Sequence, residues 1–178
     1  MSLLIDTVSN ILAVLTIGAQ IFIVLVVLYF LFFQKKYPII EKFISGNSIK
    51  FSAVIALVAT LGSLFYSNVA GFNPCDLCWL QRIFMYPQFI ILGLALMKRD
   101  KKIVDYSLAL AVIGWMISIY HNYIYYKAVS LTFCAPGESC TTHYLIKFGY
   151  ITIPMMALTA FSLIILFLLH QKFGKQNW

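Results

Sequence analysis

Residues 73–82 read Asn-Pro-Cys-Asp-Leu-Cys-Trp-Leu-Gln-Arg and open a long apolar run. If Pro74 occupies the first helical turn, Cys75, Cys78 and Arg82 stand at positions i, i+3 and i+7 and share one helical face. A cysteine at a helix N-terminus lies at the positive end of the backbone dipole, which favours the thiolate over the thiol. Because the thiolate is the form that attacks disulfides, this stretch predicts a redox-active cysteine pair at a membrane surface, with a cation one turn deeper.

The composition of the whole chain is that of a membrane protein. Of its 178 residues, 62% are hydrophobic and 11% are charged, whereas a soluble domain is nearer half apolar and a quarter charged. The net charge of +7 is spread over short basic runs between apolar segments. It forms no basic cluster interleaved with aromatic residues, so we expect a lipid bilayer and no nucleic acid as a partner.

Five apolar segments are long enough to cross a bilayer, which needs about 20 residues. They are predicted at residues 11–33, 51–70, 78–97, 103–126 and 148–169. The first is followed by a lysine pair and preceded by no basic residue, so we interpret it as a retained helix and not as a cleaved signal peptide. Small residues in the second, such as Gly62, would let another helix approach closely. Pro87 is predicted to kink the third segment.

The basic residues predict the orientation of these spans. Ten of the 13 lie in the 35–50 connector, the 98–102 loop and the C-terminal tail. The connector is predicted to be irregular, because Pro38 and the cluster 45–48 are helix breakers. The positive-inside rule then places the N-terminus outside and the C-terminus inside. We therefore predict an all-α membrane protein, a four-helix transmembrane bundle plus one extra N-terminal transmembrane helix, with all cysteines on the outer face, where disulfides persist.

Two cysteine pairs would share that outer face. The C-x-x-C pair closes a very small loop, which makes it a poor staple and favours a redox role. Cys134 and Cys140 flank a Pro-Gly turn dipeptide, so their sulfurs can meet. Alone this pair is typical of a loop staple, but beside the first pair a two-disulfide relay is the better interpretation. The alternative is a zinc site made by all four cysteines; the loop does not otherwise resemble a closed structural site, so we expect no metal.

Two further polar residues lie near the outer ends of their spans. Arg82 is about one turn inside the third span, where ionisable residues are costly and usually functional. It could instead snorkel to the lipid headgroups, but its nearness to Cys78 favours stabilisation of a thiolate or of a reduced cofactor. His121 lies at a similar depth in the fourth span, and the alternative for it is an interface histidine among tyrosines.

Residues 75–82 match the motif C-x-L-C-x-x-Q-R, and over about residues 50–170 the chain resembles the disulfide bond formation protein B (DsbB/BdbC-like) family. The resemblance implies a thiol–disulfide oxidoreductase of the bacterial cell membrane. Such a protein reoxidises a thioredoxin-like, DsbA-like partner on the outer face and passes the electrons to the membrane quinone pool, as ubiquinone or menaquinone. It would support disulfide bond formation in exported proteins.

The resemblance also implies roles for individual cysteines. Cys75 and Cys78 would be the quinone-coupled pair, with Cys78 nearest the quinone ring. Cys134 would form the mixed disulfide with the partner, and Cys140 would relay to Cys75. The first span is extra to the family pattern, which divides the chain into residues 1–48, an extra helix with a basic cytoplasmic connector, and residues 49–178, the redox bundle.

Arg82 would hold the quinone head, and His121 is a nearby candidate for the same role. A vitamin K epoxide reductase-like quinone reductase shares the logic of two cysteine pairs, but the Gln-Arg after the C-x-x-C speaks against it. From a different class, the chain could be a structural membrane subunit whose disulfides staple its loops.

Overall fold

The computed structural model describes residues 2–32, 38–98, 102–127 and 145–173, most of which lie in five long helices. We number them α1 to α5 in chain order, and they span Ser2–Phe32, Pro38–Leu64, Asp76–Lys98, Ile103–Lys127 and Ile153–Phe173. A π-helical turn, Phe65–Val69, directly follows α2. Each of the five is long and apolar enough to cross a membrane. The predicted fold class, an all-α membrane protein with five spans, is confirmed.

Helices α2 to α5 form a four-helix bundle. In it α2 packs against α3 and α5, and α4 packs against the same two helices from the other side. Leu92, Phe161 and Ile164 are fully buried at its centre. The contact between α4 and α5 requires Gly114, because a Cβ atom there would overlap the Phe161 ring. The four helices therefore pack closely around a shared core of apolar side chains.

Helix α1 lies outside this bundle and packs mainly against α5. Its fully buried residues are small, Ser9 and Ala13, and Thr16 is nearly as buried. The side chain of Leu12 reaches Gly62 of α2, where an added Cβ would stand 3.3 Å from the Leu12 Cδ1 atom. Gly62 thus leaves room for the Leu12 side chain, and its predicted role in the close approach of another helix stays a prediction.

Two predicted helix starts were too late. Helix α1 begins at Ser2, because residues 2–10 contain neither proline nor glycine to delay it. Helix α2 begins at Pro38 and runs through Gly46, so the second half of the predicted irregular connector is helical. Proline is tolerated in a first helical turn, where its missing N–H has no intrahelical acceptor. A single interior glycine costs a helix only about 1 kcal/mol.

The last helix begins later than predicted, at Ile153. Before it the chain makes a tight turn in which Phe148 and Gly149 have positive φ angles of 51° and 81°. Lys147 and Ile151 close this turn with two backbone hydrogen bonds of 2.9 Å. A left-handed backbone at two consecutive residues is incompatible with an α-helix. Helix α3, in contrast, continues through Pro87, and the kink expected there stays a prediction.

Candidate active site

The loop before α3 is held in place by aromatic and backbone contacts. Gly71 turns the chain with a φ angle of 71°, which residues that carry a Cβ atom rarely adopt. The N–H of Phe72 donates to the Tyr66 carbonyl at 3.0 Å, and the two rings stack with centroids 5.8 Å apart. Tyr66 belongs to the π-helical turn, a distortion that often accompanies functional sites. These contacts fix the path of the backbone into Cys75.

Cys75 stands directly before α3, and its carbonyl accepts a hydrogen bond from the Trp79 N–H at 3.0 Å. Cys78 lies one turn further along, with its Sγ atom 2.9 Å from that of Cys75. The two thiols are free, and a movement of about 1 Å would bring them to disulfide length. Cys75 is buried, whereas Cys78 is partly exposed. The pair lies at the N-terminus of α3 as expected, although the helix begins at Asp76 and Pro74 precedes its first turn.

His121 approaches the same pair from α4. Its Nε2 atom is 3.7 Å from the Sγ atom of Cys75, and the side chain is only 1% exposed. The hydrogen bond from the Cys78 thiol, followed by the contact with His121, lowers the pKa of Cys75 to about 4. In the reduced pair Cys75 is therefore the thiolate at neutral pH, the state that attacks a disulfide.

This lowered pKa predicts a pH dependence for the reduced pair. The thiolate should persist as pH falls from 8 to about 5 and be lost only as pH falls through about 4, whereas an ordinary cysteine loses it near 8.5. The ultraviolet absorbance of the thiolate would report this, in a variant whose Cys134 and Cys140 are replaced so that only the pair contributes. His121→Ala should move the loss to higher pH. His170→Ala, at the far end of α5, should not, and an equal shift in both would contradict the prediction.

Arg82 links α3 to α2. Its Nε atom donates to the Ser63 Oγ atom at 2.9 Å, and its Nη2 atom donates to the Ser63 carbonyl at 3.1 Å. The guanidinium also lies over the Trp79 ring, 5.1 Å from its centroid. Since an arginine has five N–H donors, three remain without an acceptor in the described part of the chain. The guanidinium is thus held against α2, with donors to spare for a ligand.

A cavity of about 370 Å³ joins these groups, within the range typical of ligand sites. Cys75, Cys78, Arg82 and His121 line one region of it. The rest of its wall is mostly apolar, and most of it comes from α1, α2 and α5. The structure therefore brings together four of the six residues that the sequence proposed as a site. The other two, Cys134 and Cys140, lie outside the described residues.

Three further cavity residues were not identified as site residues from the sequence. Ser63 anchors Arg82. Tyr125, which is 5% exposed, also lines the cavity. Gln81 is buried within the recognised motif, and its Nε2 atom has no hydrogen-bond partner among the residues that the structure describes. Gln81 could have been identified as a site residue from its place in the C-x-L-C-x-x-Q-R motif. Ser63 and Tyr125 lie on α2 and α4, outside the motif, and reach the site only through the packing of the helices.

The ligand atoms of Cys75, Cys78 and His121 all lie within 4.8 Å of one another. Two thiolates and an imidazole form a donor set that suits zinc and other thiophilic ions. This set differs from the zinc site considered from the sequence, because it uses His121 in place of the second cysteine pair. The arrangement can therefore serve thiol–disulfide exchange or metal binding.

The family model described as "Disulfide bond formation protein DsbB" matches residues 48–171. The "Disulfide bond formation protein C" of Bacillus subtilis (strain 168) is 47% identical over 120 residues, which cover 66% of this chain and 86% of that protein. The "Probable disulfide formation protein C 1" of Bacillus anthracis is 47% identical over 111 residues, 60% of this chain and 78% of that protein. No solved structure is significantly similar. The chain therefore belongs to the DsbB family of membrane thiol–disulfide oxidoreductases.

Proposed function

We propose that this protein reoxidises a thioredoxin-like thiol oxidase outside the cytoplasm and passes the electrons to a membrane quinone. The observation that carries the proposal is the close approach of Cys75 and Cys78, 2.9 Å between sulfurs, in a cavity shared with Arg82. A pair at this distance can open and close as a disulfide with little movement. The cation beside it stabilises the negative charge that reduction creates in a low-dielectric site.

Electrons would travel through two disulfides in turn. The reduced partner attacks the Cys134–Cys140 disulfide at Cys134, and the partner leaves oxidised with Cys134 and Cys140 as a dithiol. Cys140 then attacks Cys75 and displaces Cys78 as a thiolate. Cys134 attacks the resulting Cys75–Cys140 bond at Cys140, which restores the Cys134–Cys140 disulfide and releases Cys75. Each exchange breaks one S–S bond and forms another, so two electrons and two protons move per step. Leu145, the first described residue after the second pair, lines the cavity, which supports an encounter there.

The cavity suits a quinone. When bound, a quinone supplies the acceptor for two electrons and two protons, and it needs hydrogen-bond donors at its carbonyl oxygens. Arg82 has unused donors, and Gln81 offers a buried amide N–H that has no acceptor among the described residues. The buried Nδ1 atom of His121 is likewise without a partner in that part of the chain. These residues would hold the quinone head group, and the apolar wall of the cavity would receive the rest of the quinone.

The experiment that tests the function is quinol production by the purified protein on addition of a reduced thioredoxin-like protein. We expect quinol to form in proportion to the partner disulfide produced. If vitamin K epoxide is supplied to the assay, a vitamin K epoxide reductase-like enzyme would reduce it. A structural subunit whose disulfides only staple its loops would produce no quinol. In addition, stapling disulfides resist mild thiol reductants, whereas both pairs of a relay should exchange with them.

The competing chemistry at this site is metal binding, which the three-ligand cluster favours. We propose that the cluster acts as a redox centre and holds no resident metal. Elemental analysis of the purified protein should then find far less than one zinc per chain, and a chelator should leave quinol production unchanged. Stoichiometric zinc that is lost together with His121 in His121→Ala would instead establish a metal centre.

The proposed topology places both cysteine pairs outside the cytoplasm, with the N-terminus out and the C-terminus in. The asymmetry of the basic loops supports it. In intact cells treated with a reductant, a membrane-impermeant thiol reagent should label Cys134 or Cys140. A variant that lacks both residues is the control for labelling of Cys78 or of other proteins. Labelling that occurs only after lysis would contradict the orientation and the oxidation of an external partner.

A further inference from the structure

We propose that α1 is the outer wall of the quinone site, and that its inner face holds the isoprenoid tail and sets which tails bind. The inference rests on the proposed quinone function and assigns a role to a segment that precedes the family match, which begins at residue 48. A helix retained only as an anchor would need no particular register against the bundle. The contacts of α1 with the bundle set one rotation of the helix about its axis.

Polar contacts fix α1 at three levels along its length. Near its start, Asp6 forms an ion pair with Lys147, with 3.1 Å between the charged atoms. Ser9 accepts a hydrogen bond from the Tyr66 hydroxyl at 3.3 Å. Further along, Gln20 bridges two groups of the α5 region, Thr159 and Tyr150, as donor at 3.1 Å and as acceptor at 2.9 Å. Interhelical hydrogen bonds of this kind hold transmembrane helices in one rotational setting.

That setting turns one face of α1 into the cavity. Leu12, Leu15, Thr16 and Ala19 line it, at the positions i, i+3, i+4 and i+7 that share one helical face. The opposite wall comes from α2 and α5, and the same continuous space reaches the cysteine pair. Helix α1 therefore closes the side of the cavity that would otherwise open to lipid between α2 and α5.

The chemistry of this wall identifies its occupant. A quinone head held at Arg82 has its tail attached, and the cavity that continues from Arg82 is lined mainly by aliphatic side chains. An isoprenoid chain buries apolar, branched methyl groups, which such a wall accommodates. A phospholipid chain could enter the same space, but its headgroup would have to occupy the donors beside the cysteine pair. We therefore assign the space to the tail of the quinone.

Ala19→Phe tests the assignment by filling the cavity from α1. The probes are a quinone with several isoprene units and the same head group without a tail. Binding to the purified, oxidised full-length protein is measured by quenching of tryptophan fluorescence and by the rise in thermal unfolding temperature. We expect the long-tailed quinone to bind about tenfold more weakly, as overpacking of a fitted site implies, with the tailless quinone unaffected. Leu15→Ala, which removes bulk from the same wall without straining it, should weaken only the long-tailed probe severalfold.

The matched control is Val14→Phe, which adds an aromatic ring on the lipid-facing side of α1, where Val14 is 57% exposed. Equal binding in Ala19→Phe and Val14→Phe would overturn the assignment, as would an equal loss for both probes. Competition by excess phospholipid that matches the long-tailed quinone would give the space to a lipid and overturn it too. A wild-type protein that binds neither probe would refute the quinone function itself, which is a different result from tail-independent binding.

Discussion

The Cys78→Ala variant should reduce no quinone. Among the residues that the structure describes, Cys75 and Cys78 are the cysteines that line the cavity, with their sulfurs 2.9 Å apart. Without Cys78 the pair cannot close, so the last disulfide of the relay cannot re-form and electrons have no route onward. We expect the rate of quinol formation to fall about a thousandfold or more, to the uncatalysed background. The measurement is quinol formation with a reduced thioredoxin-like partner, and Cys75→Ala should behave in the same way.

The matched control replaces Cys134 and Cys140 together. This double variant should no longer oxidise the partner, but its Cys75–Cys78 pair should still become oxidised when quinone is added after reduction. The state of the pair can be read by trapping free thiols with an alkylating reagent and measuring the mass. Partner oxidation at the wild-type rate in the double variant would show that the order of the two pairs is wrong.

Arg82→Ala should weaken apparent quinone affinity by roughly ten- to a hundredfold. This follows from the loss of one charge-assisted hydrogen bond, about 1.5–3 kcal/mol. Arg82→Lys keeps the charge but loses the paired donors of the guanidinium, so it should weaken affinity less and retain part of the turnover. The measurement is the dependence of partner oxidation on quinone concentration in each purified variant. The disulfides should form in both variants.

The contact with Ser63 provides a control for the position of Arg82. Ser63→Ala removes the hydroxyl that accepts from Nε at 2.9 Å but leaves the carbonyl that accepts from Nη2. Affinity for quinone should then fall only severalfold, because the charge remains and one anchor is kept. An unchanged quinone dependence in Arg82→Ala would show that Arg82 does not hold the quinone and serves only the contact between α2 and α3.

Local spacing was sufficient to predict three residues that the structure brings together. The register of Cys75, Cys78 and Arg82 depends only on helical geometry, and all three residues do line one cavity. The number of spans likewise follows from the length of apolar runs. Both properties are determined within about ten to twenty neighbouring residues, so no knowledge of packing is needed to predict them.

Contacts between helices could not be predicted in the same way. His121 is 46 positions from Cys75, and Ser63 is 19 positions from Arg82. Their meeting depends on the rotation of each helix in the bundle. In a membrane this rotation leaves little pattern in the sequence, because lipid is as apolar as the protein core and the outward faces are as hydrophobic as the inward ones.

Helix α1 shows the difference most clearly. By sequence it is an apolar span with a few less apolar positions, and its placement against the other helices could not be assigned. In the structure those less apolar positions are the contact surface: Ser9 and Thr16 are buried, whereas Ile11 and Val14 are more than half exposed. Apolar side chains gain nothing by leaving lipid, so close packing and hydrogen bonds decide which face turns inward. The sequence therefore determined that α1 spans the membrane, and only the tertiary structure decided that it lines the cavity.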